Sequence, residues 1–284
     1  MPAAGNLVWG LVGLGVLAQI AYPLVGGAAR DTLTIGTVLM CCVAAVTHAT
    51  VTRGARTAAL VLLITAGSGL LVEAVGRATG WPFGAYDYAG SLGGKVLGVP
   101  LVIPLAWTMM AWPAWLVAGR LVRGAGGLVR GPFRVAGTGR PLRVVVAGWA
   151  LRVVVAGWAL ASWDFFLDPQ MVAAGHWSWS DPTPALPGVA GVPLTNYAGW
   201  IVVAIVMMTV LAAVLPTETA AATGQAATER TDLPMFVFYL WTFASSVLAH
   251  LVFFDLSGSA LWGGLAMGVV ALPLAATLGT RVHR

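Results

Sequence analysis

The sequence predicts an all-α bundle of membrane-spanning helices, and three observations predict it. Of 284 residues, 59% are hydrophobic and 9% are charged. A water-facing domain carries about 25% charged residues, so this chain could not cover a solvent surface. Mean hydropathy is +0.87. The apolar runs are continuous, not alternating, which selects helices over a β-barrel. The same composition excludes a water-soluble enzyme, a nucleic-acid binder and a disordered chain.

Eight spans fit a single transmembrane domain over residues 1–284. They are Leu7–Val25, Leu33–Ala49, Thr57–Val75, Val99–Gly119, Val153–Leu167, Tyr197–Leu215, Leu233–Phe254 and Ser259–Gly279. The fifth is short, and discounting it leaves seven. The first run is as long as a span and has no basic leader, so it reads as a helix and not a cleaved signal. Basic residues divide unevenly between the two sides. One side holds Arg53, Arg56, the arginines from Arg120 to Arg143, Arg230, Arg281 and Arg284; the other holds Arg30, Arg77 and Lys95. Positive charge is enriched in cytoplasmic loops. The expectation is therefore a multi-pass cell-membrane protein with both termini and a basic 120–143 loop in the cytoplasm.

Two repeats stand out. LRVVVAGWA occupies 142–150 and again 151–159. Nine residues turn a helix by about 900°, half a turn out of phase, so the copies cannot show one face to the same neighbours. Arg143 and Arg152 can both snorkel to the inner surface. The second repeat is longer. Gly98-Val99-Pro100-Leu101 leads to Trp107, and Gly191-Val192-Pro193-Leu194 leads to Trp200 at the same spacing. Each is preceded by an aromatic loop, and each loop by a carboxylate near a helix end. This predicts two parallel repeats, approximately 57–119 and 153–215, each with an outer aromatic loop; such repeats often frame a binding site. The bland alternative is a chance match in an Ala/Gly/Val/Leu-rich chain.

Acids are scarce, so each one near an apolar span is a functional candidate. Glu73 has Arg77 at i+4, and a helical ion pair is the competing reading. Asp164 and Asp168 share a helix face if the helix continues. Asp168 precedes Pro169, however, and reads as the N-cap of a new helix. Asp164 is the stronger catalytic candidate. Asp255 precedes Leu256-Ser257-Gly258 and reads as turn chemistry. His250 reads as hydrogen-bonded to a neighbouring helix. Cys41 and Cys42 are adjacent and make neither a staple nor a metal site. No nucleotide or metal motif appears.

Thirteen tryptophans exceed what interfacial belts need. Belts account for Trp9, Trp112, Trp115 and Trp262. They account less well for Trp81, Phe83, Tyr86 and Tyr88, or for Trp163, Trp177 and Trp179 beside the acids. Rings at such positions can hold an apolar polyene or stabilise a carbocation.

Glu73, the 80–88 run GWPFGAYDY, Leu92-Gly93, GVPL at 98–101 and Trp107 resemble the first signature of the membrane carotenoid-biosynthesis family. That family contains the acyclic carotenoid 1,2-hydratases and bisanhydrobacterioruberin hydratase. The run WDFFLDPQM at 163–171, GHWSW at 175–179 and GVPLTNYAGW at 191–200, with Asn196 and Trp200, resemble its second signature. The resemblance implies acid-catalysed hydration of a terminal isoprenoid double bond in an acyclic carotenoid. Glu73, Asp164 and Asp168 would be the acids. No cofactor would be needed; the partners would be a carotenoid in the bilayer, membrane lipids and other enzymes of the pathway. A cyclase would use the same protonation, and spans with repeats alone would suit a transporter.

The orientation has a direct test. A single cysteine at Ser91 or Ser180, in a background lacking Cys41 and Cys42, should react with an impermeant thiol reagent in intact cells. Labelling only after lysis would invert the assignment.

Overall fold

Among the described residues there are eight α-helices: α1 (Pro2–Ala21), α2 (Gly27–Arg53), α3 (Ala55–Thr79), α4 (Val102–Ala125), α5 (Leu142–Ala173), α6 (Leu194–Val214), α7 (Gln225–Val252) and α8 (Ser257–Gly279). This computed structural model describes residues 2–125, 142–215 and 225–279, with side chains for 5–123, 148–215 and 231–279. Residues 126–141 of the expected basic loop lie outside the described residues, while Arg120 and Arg123 belong to α4. All eight helices are long and apolar enough to cross a bilayer.

Helix α4 is central and almost wholly buried. It packs on α2, α3 and α5, and α5 packs on α6 and α8. Four short strands lie between helices: β1 (Tyr86–Tyr88), β2 (Lys95–Val96), β3 (Val99–Pro100) and β4 (Trp177–Trp179). β2 pairs with β3. β1 pairs antiparallel with β4, setting Tyr86 opposite Trp179 and Tyr88 opposite Trp177. The α3–α4 and α5–α6 connections therefore meet at one end of the bundle.

Three expectations change. The fifth helix is not short but has 32 residues. It contains both nine-residue copies, and their faces differ as the half-turn argument requires: Trp149 is exposed, whereas Trp158 donates Nε1–H to Ala266 O at 2.8 Å. The N-cap reading of Asp168 is overturned, because α5 runs through Pro169 to Ala173. Proline cannot donate to the carbonyl four residues back. Ser259 of α8 does so instead, giving its hydroxyl to Phe165 O at 2.7 Å. Lastly, Trp112 and Trp115 are not belt residues. Both are buried: Trp112 donates to His48 Nδ1 at 3.0 Å, and the Arg152 guanidinium lies 3.7 Å over the Trp115 ring.

Lipid tails are as apolar as leucine, so close packing and interhelical hydrogen bonds hold such a bundle together. Small residues make the approach possible. A Cβ on Gly263 would stand 2.6 Å from the Phe166 ring, and one on Gly157 would stand 3.1 Å from the Ile205 backbone.

The Ser259 contact predicts a thermodynamic cycle. Ser259→Ala should destabilise the detergent-solubilised protein by about 1–3 kcal/mol, the cost of an unpaired buried polar group. In a Pro169→Ala background, where a backbone N–H replaces the hydroxyl, the loss should shrink by about 1 kcal/mol. Equal losses in both backgrounds would refute the substitution of hydroxyl for N–H.

Candidate functional site

Glu73 lies near the C-terminal end of α3 and is buried. Its own helix offers it no donor, because the backbone N–H groups there are already paired. The donors come from elsewhere. Tyr86 and Tyr88 lie two apart on β1 and so face the same way. Their hydroxyls donate to Glu73 Oε2 at 2.5 and 2.7 Å. Trp107 of α4 donates Nε1–H to Oε1 at 3.1 Å. Burial, and then the neighbouring Glu73 charge, push both phenols above their ordinary value, so both stay O–H donors. The intervening Asp87 faces away and pairs with Arg77 at 3.1 Å. Arg77 is thus engaged across the loop, and the helical Glu73–Arg77 pair is not formed.

Two glycines admit these rings. A Cβ on Gly69 would stand 2.8 Å from the Trp107 ring, and one on Gly76 would stand 3.0 Å from both Phe83 and Tyr86. Trp107 stacks on Trp200 with centroids 4.0 Å apart and planes 8° from parallel.

The second acidic group is a pair. Asp164 and Asp168 lie one helical turn apart on α5 and are both buried. The side-chain amide of Asn196, in the first turn of α6, reaches both. Its Nδ2 donates to Asp164 Oδ2 at 2.8 Å and also to Asp168 Oδ2. Trp177 of β4 donates Nε1–H to Asp168 Oδ1 at 3.1 Å. Asp164 Oδ1 has no hydrogen-bond partner among the described residues.

A cavity of about 170 Å³ joins the two groups. Glu73, Asp168 and Asn196 line it, whereas Asp164 does not. Phe83, Trp163, Trp179 and Trp200 form apolar walls beside the tyrosines, Trp107 and Trp177. Trp81 does not line it and is 67% exposed. Sequence reasoning missed another part of the lining, where Gln19 of α1, Tyr22 of the 3-10 turn that follows it and Thr37 of α2 join Thr242, Ser245 and Ser246 of α7. Isolated hydroxyls on apolar spans resemble ordinary packing residues, and only their shared cavity sets these apart. Gln170, beside Pro169, also lines the cavity; in the sequence it is only one letter of the 163–171 run. Among the described residues no three His, Cys, Asp or Glu side chains converge as a metal site would require.

His176 ties the loops at this end. It shares a 2.8 Å hydrogen bond with Ser91, and its Nε2 lies 3.9 Å from Asp31. Asp255 takes a left-handed conformation between α7 and α8, as a turn residue does.

The family model described as "Carotenoid biosynthesis protein" matches residues 32–271. A bisanhydrobacterioruberin hydratase from Haloarcula japonica is 31% identical over 133 residues, which are 46% of this chain and 36% of that protein. The chain thus matches little more than a third of that relative's length. No solved structure matches.

Burial pushes the His176 imidazole below its ordinary 6.5; Asp31 opposes this and Arg30 adds to it. The unfolded chain then takes up this proton at higher pH than the folded one. The contribution to stability is complete above about pH 6.5 and is lost as pH falls below it. Melting temperature in detergent should drop between about pH 7 and 5, and His176→Gln should lessen that drop. An unchanged slope would remove His176 as its source.

Proposed function

The chain belongs to the carotenoid biosynthesis protein family, and we propose that it hydrates a terminal double bond of an acyclic carotenoid by acid catalysis. The observation that carries this reading is the pairing of two differently supplied carboxylate groups on one aromatic cavity. Glu73 receives three donors, the arrangement of a satisfied anion. Asp164 and Asp168 share one amide group, and two adjacent buried carboxylates retain a proton between them. Asp168 is the member facing the cavity, so it is the proton donor, with Asp164 as the partner that keeps the proton on the pair.

The Asp168 proton goes to the less substituted carbon of the alkene. The π electrons form the new C–H bond and leave a tertiary cation. The stacked faces of Trp107 and Trp200, with Phe83 beside them, stabilise that charge. A water oxygen forms the C–O bond, and its surplus proton passes to Glu73. Three donors make Glu73 a weak base, but a protonated alcohol is a strong acid, so a weak base suffices. A proton returned from Glu73 to the aspartate pair closes the cycle. The net change is alkene plus water to tertiary alcohol, with no redox step.

Cavity size supports an end-group substrate. A cavity of about 150 Å³ holds one benzene, so about 170 Å³ admits the end of an isoprenoid and not a whole polyene. The rest of the substrate would lie in the bilayer. The two loop-bearing halves act as parallel repeats contributing one acidic group each. The arginine asymmetry supports an outer position for this end of the bundle and cytoplasmic termini.

Expression in a host that accumulates an acyclic carotenoid should give a pigment one water heavier, with its polyene absorption unchanged. Asp168→Asn should cut turnover by about 10²–10⁴-fold, the usual share of a general acid, with membrane content unchanged. A loss of only a few-fold would remove Asp168 from that role. A product of equal mass with a terminal ring would reassign the chain to a cyclase.

A further inference from the structure

We infer that the hydroxyl-bearing part of the cavity lining, Tyr22 and Thr37 above all, is a water subsite, and that it delivers the nucleophile to the cation. The inference rests on the hydratase reading and deepens it. A site walled by rings and leucines stays dry, whereas hydration needs a water held against the cation. A held water requires two to four polar partners. Tyr22 and Thr37 are each more than nine-tenths buried and line the cavity. Neither hydroxyl has a hydrogen-bond partner among the described residues. Other hydroxyls nearby are already engaged: Thr242 donates to Phe238 O at 2.9 Å and Thr34 to Arg30 O at 3.0 Å. Tyr22 and Thr37 are therefore the two fully buried hydroxyls of this lining left without a partner among the described residues.

An acceptor completes the subsite, and the Pro169 device fixes it. The Ser259 hydroxyl spends its proton on Phe165 O, so at His250 Nδ1, 2.8 Å away, it accepts. Among the described residues, His250 has no carboxylate partner, and an imidazole buried in this way is neutral. A neutral ring that donates from Nδ1 accepts at Nε2. Gln170 Oε1 stands 3.2 Å from Nε2; the two ends of a side-chain amide interchange by a half-turn, and an accepting Nε2 takes the N–H end. That frees the carbonyl oxygen of Gln170, a cavity-lining residue two positions from Asp168, to accept from a guest. A water held by Tyr22, Thr37 and Gln170 stands in the same cavity as the rings. It attacks with an oxygen lone pair, forms the C–O bond and yields its extra proton to Glu73.

The test separates protonation from capture. With the water unheld, the cation formed by proton transfer loses a proton to Glu73 and returns to an alkene. In D₂O this leaves deuterium in the recovered carotenoid. The double variant Tyr22→Phe, Thr37→Val keeps both shapes and removes both hydroxyls. In membranes supplied with an acyclic carotenoid in D₂O, hydration should fall at least about tenfold, as loss of two positioning hydrogen bonds implies. Deuterium in the recovered alkene should be retained or rise. Asp168→Asn should abolish both signals. Hydration within a few-fold of the unmodified protein, or a parallel loss of hydration and exchange, would overturn the water subsite and leave the hydratase reading standing. An unmodified protein that gives neither product nor exchange would overturn the hydratase reading itself.

Discussion

A carboxyl group buried in an apolar bundle has to be given hydrogen-bond donors, and a helix cannot give them to itself. Every backbone N–H near Glu73 is already committed within α3. The donors therefore arrive from a strand, β1, and from a different helix, α4. The aspartate pair poses the same difficulty and meets it in the same way, through Asn196 on α6 and Trp177 on β4. Because β1 and β4 pair with each other, the two sets of donors are one unit. That ladder also pairs backbone groups of non-helical chain near the membrane, which would otherwise be costly to leave unmet.

The same economy of polar groups explains α5. Asp168 reaches the cavity because the helix continues past it, and the helix continues past Pro169 because α8 supplies what proline lacks. Ser259 closes the open carbonyl of Phe165, His250 closes on Ser259, and Gln170 closes on His250. Three helices thus hold the turn that carries the acid. Packing alone would not do this in lipid, where apolar contact between helices gains little over contact with tails.

What could be read from the sequence follows from how local each signal is. Eight spans were legible because hydropathy is a property of a window of about 20 residues. Glu73, Asp164 and Asp168 were legible because acids are so few in this chain. The family resemblance rests on long local runs, and the family match covers the same region. Non-local ties stayed hidden. Asp-Pro reads as a helix start unless one knows that Ser259, 94 residues from Phe165, replaces the missing N–H. Arg77 reads as the partner of Glu73 unless Asp87 is known to fold back onto it. Tyr22 and Thr37 carry no signal until the fold places them on one cavity wall. Trp112 and Trp115 read as interfacial until α4 is known to be central.

The differing supply of donors sets two carboxylate groups in one medium apart. Glu73 has three donors for its two oxygens, none of them a cation. The aspartate pair has the two protons of one amide and one indole N–H for four oxygens, and one of those oxygens has no partner. On the hydratase reading proposed above, negative charge would settle on Glu73 and a proton would remain on the pair. Acid–base polarity across the cavity would then be a consequence of hydrogen-bond inventory. On that reading Asn196 would act through the number of protons it offers the pair, and Trp107, besides its ring face, through the one it offers Glu73. Each would help fix which side of the cavity gives a proton and which side takes one.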